Sequence, residues 1–575
     1  MLPMTPPVSP TPKRWKIAAS ISAQVTESLA AYPPILRQIL FNRGFTTESE
    51  AASYLHAEAP EHTSPWKMTG IEPAVQRILA ALKSAEPIAI YGDYDVDGVT
   101  ATALLVLTLQ AQGGDVRGYI PNRFEEGYGL NKEALDLLQA EGVRLVITVD
   151  CGIRSPEEAA HARAIGLDLI ISDHHQPAAG ELPPALAVIN PKQEGEDYPD
   201  KDLAGVGLAY KLAQALLERR PAEGLHADQL LDLVALGTVA DLAPLVGENR
   251  FLVYHGLQRI RSAPRQGIFS LANVSDLPLA RINANAIGYI LGPRLNAAGR
   301  LDSALAAFDL LTTQDVQQAG ALALKLDQQN RERQSLTRKI QEQAEAQVQA
   351  DDPEALVLFA VNPEFNAGVV GLAASRLVDS FYRPAVVGQQ FADTTRCSCR
   401  SIPEFHITQA LDQCADLLIR YGGHAAAAGF TVRNDRLPEL KRRLLSIAAD
   451  ALDGQDLRRT LHADMEVPLS DLQSGLLKHL DTLQPTGFGN PEAVFVSRNV
   501  MVLNSRVVGS DGKHLKMGVS DGRVNLDAIG FRLGAWHGRL PPAVDLLYTF
   551  EMNEFNGRSM LQLNVKDLKP PGTPE

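Results

Sequence analysis

Tyr91-Gly92-Asp93-Tyr94-Asp95-Val96-Asp97-Gly98 follows the short apolar run Ile88-Ala89-Ile90 and precedes a helical pattern from Val99 to about Gln112. Three carboxylates within five residues are usually a solvated loop. This run, however, stands at the carboxyl end of a candidate buried strand, where open α/β sheets place their ligands. Asp-x-Asp-x-Asp-Gly also opens an EF-hand loop, but that loop needs Glu at its twelfth position. Leu104 stands there, inside an apolar helix, so the calcium-hand reading fails.

Outward from this stretch the same unit repeats. Val116 to Ile120 is a further candidate strand, with a helix from Asn131 to Ala140. Leu145 to Val149 is the next strand, and Ser155-Pro156-Glu157-Glu158 opens the next helix with a cap and a first-turn proline. Leu167 to Ile171 and Ala185 to Ile189 are two more strands. The alternation predicts a parallel sheet with helices on both faces. Asp150 closes one strand and Asp173-His174-His175 closes another. A single strand-end Asp often only caps the next helix, but three strand ends deliver carboxylates and imidazoles to one edge. Such a cluster repels itself unless cations neutralise it. Its oxygen and imidazole donors suit Mn²⁺ or Mg²⁺ better than structural zinc. Two such ions are the usual device for hydrolysing a phosphoester. Asp241 is the only acid in the apolar stretch Val234 to Val246. It is either a helix-end cap or a carboxylate that has a cation for company.

Several function classes are excluded. The formal net charge is −14 over 575 residues, so nucleic acid cannot coat the whole surface; a polyanion must be met by a local basic groove or through metal. Residues 250–342 are such a region, with twelve Lys or Arg against seven Asp or Glu. Four cysteines are too few for a disulfide scaffold and read as reduced thiols. The proline-rich start reads as a disordered tail, no apolar run is long enough to span a membrane, and a cytoplasmic protein is expected. No Gly-x4-Gly-Lys-Ser/Thr loop is present, which disfavours an ATP-driven helicase.

The expected organisation is a disordered tail (1–15), an N-terminal helical region (16–84), the catalytic α/β domain (85–250), a helical connector with a linker helix (251–350), a second α/β domain (351–455) and a small barrel (460–570). The polar stretch Lys325 to Ala350 is either a solvent-crossing helix between domains or an ordinary surface helix. The barrel is read from short β-rich runs, such as Val500 to Leu503 and Leu546 to Glu551, separated by Asp-Gly turns.

The set Gly92 to Gly98, Val149-Asp150, Ser172 to His175 and Gly237-Thr238-Val239-Ala240-Asp241 resembles the DHH phosphoesterase superfamily. Later segments resemble its RecJ-like exonucleases: Pro121 to Gly129, Gly292 to Arg300, Ser398 to Arg400, Gly422-Gly423-His424 and Gly487-Phe488-Gly489-Asn490-Pro491. The resemblance spans Trp66 to Leu568. It implies an α/β protein with a parallel-sheet DHH domain, a DHH-associated α/β domain joined to it by a long helix, and a C-terminal OB-like β-barrel. It implies a metal-dependent single-strand-specific 5′→3′ DNA exonuclease of repair and recombination. Asp97, Asp150, His174 and Asp241 look like ligands of one ion, Asp150 bridging to a second that Asp95 serves with Asp93 nearby. Mn²⁺ or Mg²⁺, two ions, would be the cofactor. His175 looks like the group at the scissile phosphate or leaving oxygen. Arg123, Arg294, Ser398 and Arg400, with His424, resemble a pocket that binds the substrate's 5′ phosphate. Relatives often carry His where this chain has Tyr91, and Gly-Ser-Ala-Arg-Ser where it has Cys397 to Ser401. The implied partners are single-stranded DNA and a single-strand-binding protein or helicase. Two other functions stay open: a relative acting on short oligonucleotides or cyclic dinucleotides, and a non-catalytic replication scaffold. The segment past Leu461 favours a polymer substrate, because such barrels often bind single strands. All the acids of the cluster precede Leu242, so the barrel is expected to add contact along the strand and not to take part in the chemistry.

Overall fold

The structure, a computed structural model, describes residues 13–122, 126, 129–178, 180–352, 354–509, 512–555 and 558–573. It divides into two compact units. One takes residues 56–333 together with the short stretch 484–491. The other gathers residues 1–55, 334–483 and 492–575.

The first unit is built on a five-stranded, all-parallel sheet: β1 (Ile88–Tyr91), β2 (Val116–Tyr119), β3 (Leu145–Val149), β4 (Asp168–Ser172) and β5 (Ala187–Ile189), in the order β2-β1-β3-β4-β5. The order reverses at β1, so the crevice at the carboxyl ends of β1 and β3 is the topological switch point of the sheet. Alternation along the strands sends Ile88 and Ile90 to one face and Ala89 and Tyr91 to the other. On the first face lie α1 (Val96–Ala111), α2 (Gly205–Arg219) and α3 (Leu231–Ala240). The opposite face is covered by the helices Lys132–Ala140 and Pro156–Ala164. α1 is apolar on nearly every side because it packs against β1, α2 and α3 at once. It begins three residues before the expected Val99, because the Asp95 carboxylate accepts from the Asp97 and Gly98 amides and caps the first turn.

The 36-residue helix α4 (Val316–Asp351) carries the chain from one unit to the other. Its Ala319, Ala323 and Leu326 join the core of the first unit, while Ile340, Ala344 and Val348 join a core of the second. These small and apolar residues are too sparse to give a clear stripe, which is why the sequence reads as polar all round.

The second unit holds a mixed sheet and a barrel. The sheet comprises β6 (Leu358–Asn362), β7 (Ala385–Gln390), β8 (Thr394–Arg400), β9 (Leu418–His424) and β10 (Ala427–Arg433), in the order β9-β10-β8-β7-β6. Helix Val370–Phe381 covers one face and helix Leu437–Leu452 the other. The barrel strands are β11 (Phe495–Val508), β12 (His514–Ser520), β13 (Asn525–Gly530), β14 (Ala543–Phe555) and β15 (Arg558–Lys569). They run in the order β11-β12-β13-β15-β14, and β14 pairs back to β11, which closes the ring. Phe495, Leu515, Met517, Leu546 and Tyr548 fill its interior, and Leu36, Ile39 and Leu40 of the N-terminal helices join the same core. The strand Arg14–Ile17 lies parallel to Thr460–Ala463. Among the described residues no helix is long and apolar enough to cross a membrane, and all four cysteines are buried and unpaired.

Candidate active site

The carboxyl ends of β1, β3 and β4 and the end of α3 converge on one crevice of the first unit. Asp93 and Asp97 are buried beyond β1, and Asp150 is buried beyond β3. His174 and His175 follow β4, and Asp241 follows α3. Three groups of potential ligand atoms each lie within 4.8 Å of one another: Asp97, His174 and Asp241; Asp93, Asp95 and Asp150; and Asp150, His174 and His175. His174 Nε2 is 3.2 Å from Asp150 Oδ1 and 3.8 Å from both Asp97 Oδ2 and Asp241 Oδ2.

Each side chain is held by something identifiable. The Asp97 carboxylate accepts from the Gly205 and Val206 amides, at 2.7 and 2.8 Å, at the N-terminus of α2. A Cβ on Gly205 would come within 2.8 Å of Asp150 Cβ, and one on Gly237 within 2.9 Å of Asp97 Oδ1. Only glycine lets both helices approach so closely. Asp150 adopts the left-handed region, φ 61°, which costs a non-glycine residue energy and is met mostly where function needs it. The same is true of Leu242, φ 61°, directly after Asp241. Asp241 ends α3, where a carboxylate has no amide to cap and the helix dipole repels it. The capping alternative for Asp241 therefore fails. Asp173 accepts from the Ile153 amide at 2.9 Å and from His175 Nδ1 at 2.7 Å, which fixes the His175 ring.

The electrostatics follow from this crowding. Burial, and then Asp95, push the Asp97 carboxyl up to about 7. Burial, Asp97 and Asp95 push Asp241 up to about 9. Burial, with the neighbouring carboxylates, raises Asp150 well above its usual range. Burial, with the neighbouring His175, lowers His174 to about 3, so its ring is neutral at physiological pH and able to bind a cation. Burial opposes charge on His175, but the Asp173 hydrogen bond and the acids beyond outweigh it, and the net shift is upward.

A divalent ion fits these residues. Buried Asp150 Oδ1 and His174 Nε2 face each other with no hydrogen-bond partner among the described residues. Leaving such groups unsatisfied costs several kcal/mol, and a cation satisfies both. Tyr91 does not contribute. Its hydroxyl donates to Gly129 O and accepts from Asn131 Nδ2, and the ring belongs to the core on the opposite face of the sheet.

The expected phosphate-pocket residues belong to both units. Arg123 lies outside the described residues. Arg294 is in the first unit, where Asp327 Oδ1 and Ile290 O accept from its guanidinium at 3.0 and 2.8 Å. The segment that carries it is docked beside the acids, since Val96 N donates to Asn296 Oδ1. Ser398 and Arg400 lie on one face of β8 in the second unit, against Gly371. His424 is close by, its pKa lowered by burial and then by Arg400. Cys397 and Cys399 point to the other face of β8, into the core, and Gly388 makes room for Cys397. The two cysteines thus replace small residues without altering the face that Ser398 and Arg400 present.

Sequence reasoning missed the Gly205 and Val206 amides; the small-residue run Ala204-Gly205-Val206-Gly207 before a helix is the signal that could have found them. It quoted Asp173 without a role.

The DHH family N-terminal domain matches residues 87–238, the DHHA1 domain 353–452, and the RecJ OB domain 463–567. A Bacillus subtilis protein named single-stranded-DNA-specific exonuclease RecJ is 38% identical over 561 residues, covering 96% of this chain and 70% of its own. A Salmonella typhimurium protein of the same name is 35% identical, with 95% and 98% covered. The chain belongs to the RecJ family. Its fold is that of a solved RecJ, the Thermus thermophilus protein in complex with Mn²⁺, with TM-score 0.84 and 32% identity over 98% of this chain and 80% of that one. The same Thermus RecJ in complex with Mg²⁺ matches at TM-score 0.79 and 30% identity, covering 98% and 79%.

Proposed function

We propose that this chain is a metal-dependent exonuclease that hydrolyses single-stranded DNA from a 5′ end in cytoplasmic DNA repair and recombination, alongside a single-strand-binding protein or helicase. The observation that carries the reading is the pair of unsatisfied buried ligand atoms, Asp150 Oδ1 and His174 Nε2, inside a ring of carboxylates at the switch point. Asp97, His174 and Asp241 would hold one ion and Asp93 and Asp95 the other, with Asp150 shared. Bound ions would supply charge neutralisation at the phosphate and a lowered pKa for water. Asp95 has one oxygen committed to capping α1, which leaves the other for an ion. The α2 amides keep Asp97 from rotating out of the cluster. His175, made basic by Asp173, is the proton donor for the leaving oxygen. Polymer substrates are favoured over small ones by the closed barrel that follows the two α/β domains. The test incubates protein and Mn²⁺ with single strands labelled at either end. Loss of the 5′ label first supports the reading, and loss of the 3′ label first refutes the polarity.

Two predictions arise here. Protein stripped of metal should take up Mn²⁺ with release of protons near pH 7, because Asp97 at about 7 and Asp241 at about 9 must ionise. Affinity should rise with pH from about 7 to about 9 as these two carboxyls ionise. Titration calorimetry in buffers of different ionisation enthalpy measures this, and a buffer-independent heat at pH 7 would contradict it. Arg294→Ala and Arg400→Ala should each reduce the preference for a 5′-phosphorylated over a 5′-hydroxyl end, by roughly ten- to hundred-fold if a charged contact is lost. An equal loss on both ends points to general backbone binding.

A further inference from the structure

Gly487-Phe488-Gly489-Asn490-Pro491 matches no acid, base or phosphate group, yet the chain returns to the first unit for residues 484–491 alone. There the stretch forms a tight turn, with Gly487 and Asn490 bridged and Asn490 Nδ2 donating to Pro485 O at 2.6 Å. The turn packs on Ala243 to Val246, the loop that leads directly out of Asp241. Phe488 O accepts from the Leu245 amide at 2.8 Å, and Pro485 O accepts from Arg250 Nη1 at 3.4 Å. A Cβ on Gly487 would lie 2.8 Å from Leu245 Cδ1. One on Gly489, φ 73°, would lie 2.9 Å from Pro244 Cβ. Both glycines are thus required by close approach to this one loop.

The loop itself needs a brace. Leu242 holds a left-handed backbone with an exposed side chain, so its own packing cannot fix that strained conformation. Asp241 sits one residue earlier; among the described residues no donor bonds its carboxylate, which is a quarter exposed (25%) and has His174 Nε2 no nearer than 3.8 Å. No hydrogen bond among the described residues therefore sets where the Asp241 side chain points; the backbone on either side does. α3 fixes one side. We infer that the turn 484–491 fixes the other, and that Gly487 and Gly489 are positioning residues for Asp241. The segment that precedes the barrel would then be a structural part of the catalytic site. This inference rests on the assignment of Asp241 to a metal ion.

The test compares wild type, Gly487→Ala, the pair Gly487→Ala with Leu245→Val, and Asp241→Asn. The readouts are Mn²⁺ affinity by direct binding and kcat on a dinucleotide. Groups that orient a metal ligand change affinity or activity by about 10- to 100-fold when lost. Gly487→Ala should weaken Mn²⁺ binding and lower kcat by that order with KM little changed. Leu245→Val, which removes the methyl that the new Cβ meets, should restore both in part. Unchanged Mn²⁺ affinity in Gly487→Ala, with Asp241→Asn impaired, overturns the positioning role and leaves the metal reading intact. Unchanged affinity in both overturns the metal reading and the inference with it. If Gly487→Ala does not fold, Asn490→Asp removes the donor to Pro485 O with little change of shape, and the same readouts apply.

Discussion

Asp97→Ala lowers cleavage of single-stranded DNA by about 10³-fold or more, the scale on which loss of a central catalytic group acts, while the protein still folds. Asp97 is anchored by two α2 amides beside its place in the cluster. Its loss removes a ligand and takes the acceptor from those two amides. Asp241→Asn has the same effect on cleavage with less disturbance, since Asp241 makes no such bonds. Stability without metal moves the other way. The folded pKa of Asp241, about 9, lies above its ordinary 3.8, so the folded protein binds more protons than the unfolded chain between those values. The stabilising effect is complete below about 4 and is lost as pH rises through about 9. Above pH 8, in chelator, Asp241→Asn should therefore melt higher than wild type. Calorimetric melting points at pH 6 and pH 8.5 check it; an equal or lower melting point for the variant at pH 8.5 would show that neither burial nor the neighbouring acids disfavour the Asp241 carboxylate.

Truncation before His462 abolishes hydrolysis of very short oligonucleotides as well as long ones. From the sequence, with every acid of the cluster before Leu242, a different result is expected: binding to long strands weakened far more than hydrolysis of very short ones. The structure gives two reasons for the change. Truncation removes the turn 484–491, which belongs to the unit that holds the acids and touches the loop after Asp241. It also strips Leu36, Ile39 and Leu40 of the core they share with Phe495 and Tyr548, and so exposes apolar surface. Burying one such side chain is worth about 1.5–3 kcal/mol, and several are exposed at once. The measurement is turnover of a dinucleotide by full-length and truncated protein, with circular dichroism to confirm folding. Retention of dinucleotide turnover by the truncated protein would return the barrel to a purely strand-binding role.

The strand ends were legible in the sequence because their signal is local: an apolar run, then an acid or imidazole, then a helix. Asp93, Asp95, Asp97, Asp150, His174 and His175 stand out in that way, and Asp241 as the lone acid of an apolar helical stretch; the structure brings all seven into one crevice. The closed barrel was legible from short runs and Asp-Gly turns. Long-range packing was not. The pairing of Arg14–Ile17 with Thr460–Ala463 joins segments far apart in the chain, and no periodicity within either segment announces it. The amides that hold Asp97 leave only a faint mark, the small residues Ala204 to Gly207 at the start of α2, because any residue but proline supplies an amide. Arg294 reads as a free phosphate-binding charge, but Asp327, 33 residues on, already engages it, and that acid looks like any other on a polar helix.

Metal dependence of both binding and cleavage in one titration tests the proposed chemistry most directly. Protein freed of metal is titrated with Mn²⁺ at pH 8, with bound ion counted by electron paramagnetic resonance and single-strand cleavage followed in parallel. Cleavage absent at the start and rising as two ions bind, with neither in Asp97→Ala, is the predicted result. Cleavage by metal-free protein, or full ion binding by Asp97→Ala, would contradict a metal centre built on Asp97, Asp150, His174 and Asp241.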